Sequence, residues 1–105
     1  MGDLRARIPV VAGLAYIERL RGRPSSFEVT LVPEPENRFF RHAIAVVSGG
    51  DKLGYVAPEV ALRYFEAIAA AAGAITCGAR RSAPIDRETS GVELFLDFSG
   101  MPEPA

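Results

Sequence analysis

The chain has 105 residues, a formal net charge of −1, 49% hydrophobic residues and 24% charged residues. That profile specifies one small globular domain and excludes a disordered polymer, and the near-neutral sum removes any global electrostatic argument for a nucleic-acid partner. The charge is nevertheless unevenly spread: residues 1–23 carry five Arg against Asp3 and Glu18, whereas residues 77–105 carry three Arg against five acids.

Eleven of the twelve basic residues are Arg, and Lys52 is the only Lys. Arg makes forked contacts to phosphate that Lys does not, although high-GC codon usage produces the same bias. Cys77 is the single cysteine. It has no internal disulfide partner, and after Ile75 and Thr76 it reads as a buried strand residue. The N-terminal residues lack the long apolar core of a signal peptide, and no apolar run is long enough to span a membrane. The expected setting is the cytoplasm, with no membrane partner.

In chain order, residues 8–11 and 14–17 are short apolar runs, and Gly13 between them marks a bulge or a close backbone approach. Residues 18–26 form a polar turn region. Residues 27–32 alternate, with Phe27, Val29 and Leu31 on one face and Glu28 and Thr30 on the other, which is the period of a half-buried strand. Pro33 and Pro35 argue against a central strand over residues 33–37, because each removes a ladder donor. Residues 43–47 read as a strand buried on both faces. Ser48-Gly49-Gly50-Asp51 is a hairpin turn, and residues 52–56 are the return strand.

Pro58 suits a first helical position. Val60, Ala61, Tyr64, Phe65, Ile68 and Ala72 follow at helical spacing, and Gly73 is a natural stop. The expected amphipathic helix therefore covers 58–72. Residues 74–78 read as a strand, 79–91 as a long polar loop and 92–98 as a closing strand. The expected fold is a mainly β, OB-like barrel of about six strands with one main helix. Its core lies at about 8–98, and 99–105 form a flexible tail within a single domain, 1–105.

No catalytic constellation emerges, so the isolated chain is expected not to be an enzyme and to need no cofactor. His42 is the only histidine, no Cys/His cluster has metal spacing, and no phosphate-binding glycine loop follows a strand. A binding constellation is present instead. Asn37, Arg38, Phe39, Phe40, Arg41 and His42 place an amide, two rings and two guanidinium groups within six residues. Single-stranded nucleic acid is held by this mixture, with rings stacking on bases and cations meeting phosphates. The competing reading is that one of the two rings plugs the barrel end. Tyr16 and Tyr55 are further rings for either role.

The order of these signals resembles the HIRAN domain family. The residues that carry the resemblance are Val11-Ala12-Gly13-Leu14-Ala15-Tyr16, then Glu34-Pro35-Glu36-Asn37, then Ala43-Ile44-Ala45-Val46, and finally Gly54-Tyr55-Val56-Ala57-Pro58-Glu59-Val60-Ala61. The match covers roughly residues 8–79, most of the chain. The resemblance implies an OB-like barrel that binds single-stranded DNA or DNA ends, with Tyr16 as a stacking ring, Asn37 as a ligand contact and Phe39 as the motif aromatic.

It also implies a separately encoded helicase or nuclease as partner. Where the motif has Pro, Asp and Asn, this chain has Arg38, Phe40 and His42. Phe40 accepts no hydrogen bond, which removes the 3′-hydroxyl acceptor. The predicted nucleic-acid-binding residues are Tyr16, Asn37, Arg38, Phe39, Arg41, His42 and Tyr55. The alternative is a protein–protein interaction module.

Overall fold

A computed structural model describes residues 7–11, 23–71, 73–81 and 94–101. Six strands and one helix are formed among them: β1 (Ile8–Val11), β2 (Ser26–Glu34), β3 (Ala43–Ser48), β4 (Asp51–Val56), α1 (Pro58–Ala69), β5 (Ile75–Arg81) and β6 (Leu94–Asp97). The strands close into an antiparallel barrel in the order β1-β4-β3-β2-β5-β6. Closure gives each strand two neighbours, which matters for a small domain with little helix to cover a sheet edge. The mainly β barrel with a single helix is the architecture expected from the strand spacing.

The alternation read in β2 is realised. Val29 and Leu31 point inward, facing Val10, Ile44, Val46, Leu53, Val56, Leu94 and Leu96 in one core. In β3 the run from Ala43 to Val46 is buried on both faces. The turn between β3 and β4 is Gly49-Gly50, with φ +58° and +86°. Two successive left-handed residues match the right-handed strand twist, so this position takes glycine at both central sites. The Arg23 guanidinium braces the hairpin from outside, donating to the Ser48 carbonyl and hydroxyl at 3.0 Å each and to Asp51 at 3.1 Å.

The helix α1 starts at Pro58 and has no side-chain cap. Its first turn is tied to the barrel differently: the Ala57 amide donates to the Pro9 carbonyl at 3.1 Å. Ala61, Tyr64 and Ile68 face the core from one stripe, and Tyr64 meets Phe98 edge-on with centroids 5.0 Å apart. The helix packs on β2, β3 and β4, so α1 stoppers the barrel end at which β2 and β4 finish and β3 begins.

Several boundaries differ from expectation, each for a physical reason. The strand β2 runs on through Pro33 and Glu34, which pair with Ile44 and Ala43. Its pairing with β5 ends at Leu31–Ile75. Beyond that point β2 has one neighbour, and a proline is tolerated because its missing N–H faces no partner. The helix stops at Ala69, before the expected 72. Its last turn tightens, with the Ala71 amide donating to the Ile68 carbonyl, and the exposed Ala69 and Ala70 bury nothing that would extend it.

The strand β5 continues to Arg81, because Arg80 and Arg81 find partners in both β2 and β6 or their flanks. Of the expected tail, residues 99–101 are described: the Met101 amide donates to the Phe98 carbonyl and Met101 packs against the core, while 102–105 lie outside the described residues. The expected run at residues 14–17, Gly13, and residues 92 and 93 lie outside the described residues. No helix among the described residues is long and apolar enough to cross a membrane.

Candidate functional site

The segment 35–42 joins β2 to β3 at the helix-capped end of the barrel. Two backbone bonds fold it: the Asn37 amide donates to the Glu34 carbonyl at 3.0 Å, and the Ala43 amide donates to the Phe40 carbonyl at 3.1 Å. Between them the Asn37 side chain acts as a local template. Its Oδ1 accepts the backbone N–H of Phe39 at 2.9 Å and of Phe40 at 3.1 Å. Asparagine favours this Asx geometry because its short carbonyl reaches the amides two and three residues on.

The other end of the Asn37 amide is also held. Its Nδ2 donates to Glu34 Oε1 at 3.1 Å. The same oxygen accepts the Tyr55 hydroxyl at 2.9 Å. Glu34 Oε2 accepts Lys52 Nζ at 2.8 Å, and Lys52 also donates to the Tyr55 hydroxyl at 2.8 Å. Tyr55 sits on β4 opposite Ala45, and Glu34 sits on β2 opposite Ala43. The phenol therefore reaches across β3, where both intervening residues are alanines. The result is a chain of contacts from β4 across β3 to β2 and out to the loop.

Burial tends to raise the Glu34 pKa, but the hydrogen bonds from Lys52, Asn37 and Tyr55 outweigh it and hold the carboxyl below its ordinary 4.5. Lys52 is pushed above its ordinary 10.5, by its hydrogen bond to Glu34 first and by Tyr55 second. The signs follow from linkage. The lowered Glu34 contributes stability present above pH 4.5 and lost as pH falls through its folded value. The raised Lys52 contributes stability present below pH 10.5 and lost as pH rises through its folded value. Glu34→Gln is accordingly expected to flatten the acid limb of a stability–pH curve measured by thermal melting. An acid limb unchanged in this variant would show that the Glu34 cluster does not contribute to it.

This frame sends the two loop rings in opposite directions. Phe39 is 96% exposed, whereas Phe40 is half-buried and packs against the core. His42 lies between Phe40, at 5.7 Å, and Phe65 of α1, at 5.3 Å and nearly perpendicular. These tilted and edge-on ring contacts fasten the loop to the helix. Arg38 and Arg41 are exposed on either side of Phe39 and make no ion pair among the described residues. With Glu34 neutralised by Lys52, the loop surface carries two guanidinium groups against the one exposed carboxylate of Glu36.

Of the predicted residues, Arg38, Phe39 and Arg41 are exposed on the loop. Asn37 is its internal frame, and His42 is part of the packing beneath it. Tyr55 lies on the barrel wall with its hydroxyl on Glu34 and the Lys52 ammonium 4.9 Å from its ring centroid. Tyr16 lies outside the described residues. Sequence reasoning missed Glu34 and Lys52. The available signal was that one Lys persists in a chain of eleven Arg: a compact ammonium with three donors serves a carboxylate and a phenol at once. A second ring with a cation, Phe95, has its face covered by the Arg7 guanidinium, 5.2 Å away, and so differs from the open ring of Phe39.

The arrangement suits contact with a flat apolar group flanked by anions. Among the described residues no cluster of three or more His, Cys, Asp or Glu is placed to hold a metal ion. Cys77 is buried in β5 as expected, and burial, then Asp97 and Glu28, push its thiol up to about 12, so it is not a thiolate nucleophile at neutral pH. No protein-family model, curated protein or solved structure matches the chain.

Proposed function

We propose that this chain is a non-catalytic nucleic-acid-binding module that stacks an unpaired base of single-stranded DNA on Phe39, with Arg38 and Arg41 meeting the adjacent phosphates. The observation that carries the reading is a phenylalanine 96% exposed on a loop that hydrogen bonds hold in one shape. A ring fixed in this way offers a face at little ordering cost, and stacking on it is worth roughly 1–3 kcal/mol per base. The resemblance of residues 8–79 to HIRAN domains supports the same ligand class. Phe40, turned to the core, supplies no acceptor for a terminal hydroxyl, so the expected preference is for unpaired bases and not for a chemically intact 3′ end.

The test is a fluorescence-anisotropy titration of a labelled oligothymidine at several salt concentrations. The affinity is expected to fall with salt, and Arg38→Ala/Arg41→Ala is expected to weaken binding at low salt. Losing two phosphate contacts flattens the log–log salt slope by about 1.4. Absence of binding at low salt, or an unchanged slope in the double variant, refutes the reading. A protein-interaction surface is the second reading, favoured by Leu62 at 56% and Val11 at 54% exposure. It predicts partner binding that is insensitive to salt and sensitive to Leu62→Ala.

A further inference from the structure

We infer that Glu34 is the positioning residue of the Phe39 platform: it touches no ligand, and through Asn37 it holds residues 37–40 in the conformation that turns the Phe39 ring to solvent. The inference rests on the proposed reading only in taking that ring as the binding face.

Asn37 shapes the loop. Its Oδ1 folds the loop by accepting two backbone amides, and this requires one side-chain rotamer with the carbonyl turned toward Phe39 and Phe40. The two backbone N–H donors admit only the carbonyl end of this amide, which turns its NH2 end away from them and toward the barrel. Glu34 Oε1 anchors that end. A carboxylate oxygen accepts and never donates, so it binds the NH2 end of Asn37 and rejects the carbonyl end. The carboxylate is itself fixed from the other side by Tyr55 and Lys52, which arrive from β4. The loop amide, and with it the backbone of Phe39 and Phe40, is thus tied to the barrel wall, whose Lys52 and Tyr55 stand two strands away.

Glu34 and Lys52 form one ion pair, 2.8 Å long, and the bond to Asn37 of the loop is made by Glu34. That separates a positioning role from a merely stabilising one. Glu34→Ala removes the acceptor for Asn37. Lys52→Met removes the ion pair and leaves the Asn37–Glu34 bond. Glu34→Gln keeps one carbonyl oxygen that serves Asn37 and is the conservative rescue.

The experiment reads two quantities on the full chain and these three variants, each confirmed folded by its thermal melt. The first is the rate of tryptic cleavage after Arg38 and Arg41, with sites mapped by mass spectrometry. The second is affinity for the labelled oligothymidine. Glu34→Ala is expected to speed cleavage at both sites and weaken binding about tenfold. Lys52→Met is expected to lower the melting temperature comparably while leaving cleavage and affinity within about twofold of the parent, and Glu34→Gln to restore most of both.

Equal effects of Glu34→Ala and Lys52→Met, or an unchanged cleavage rate in Glu34→Ala, overturn the inference. Faster cleavage in Glu34→Ala with no oligonucleotide binding by any protein, the parent included, upholds the positioning role and refutes the nucleic-acid reading instead.

Discussion

Phe98→Ala is expected to cost about 3–5 kcal/mol, the range for truncating a fully buried aromatic ring. Phe98 is 0% exposed and is the largest fully buried side chain of the core. It sits where β6 ends, edge-on to Tyr64 of α1, so its ring joins the helix to the barrel. Truncation opens a cavity at that junction, and the backbone around it is held by closed ladders that do not collapse easily. A domain of this size has a global stability near the lower end of about 5–15 kcal/mol. The substitution is therefore expected to lower the melting temperature by more than 10 °C, or to leave no cooperative transition at 37 °C. A decrease below about 4 °C in a calorimetric or circular-dichroism melt would show that the ring does not bind helix to barrel as the structure has it.

Phe39→Ala is the same chemical change with the opposite expected consequence. The ring packs on nothing, so its loss leaves the melting temperature within about 2 °C of the parent. Binding is where the effect appears. Loss of one stacking platform worth roughly 1–3 kcal/mol weakens affinity for single-stranded DNA by about 5- to 150-fold. Phe39→Trp is expected to retain binding. The chain has no other tryptophan, so indole emission at this position reports stacking directly by its quenching on addition of oligonucleotide.

Phe40→Ala reverses the pattern, lowering stability through lost packing against the core and His42. A Phe39→Ala protein that binds as tightly as the parent, or one that loses several kcal/mol of stability, would remove the ring from the proposed interface.

Local sequence determined much of this architecture because the physics there is local. Alternation in β2 needs only the period of a strand, and the Gly49-Gly50 turn needs only two residues free to adopt positive φ. Pro58 opens a helix because its missing N–H is one that the first turn leaves unbonded in any case. These signals gave the six strands and the helix, and they placed a mixed aromatic and arginine loop between β2 and β3. The sequence did not reveal that β2 would continue through Pro33, since that depends on β5 having already left the ladder.

The loop itself shows the division most clearly. Its composition was legible: two rings, two guanidinium groups and an amide in six residues. Which ring would be free was not, because Phe39 and Phe40 are the same residue type side by side and the folded loop decides between them. That loop is anchored through Asn37 to Glu34, and Glu34 is held by Lys52 and Tyr55, 18 and 21 residues further along the chain. Contacts of that separation exist only once β3 lies between β2 and β4 and carries alanines small enough for a phenol to cross. The sequence by itself determined that this chain is a small β-barrel with a polar, aromatic loop. The tertiary structure decided that Phe39 faces solvent and Phe40 faces the core, because hydrogen bonds to a partly exposed carboxylate on a neighbouring strand have geometry and sign that no local pattern encodes.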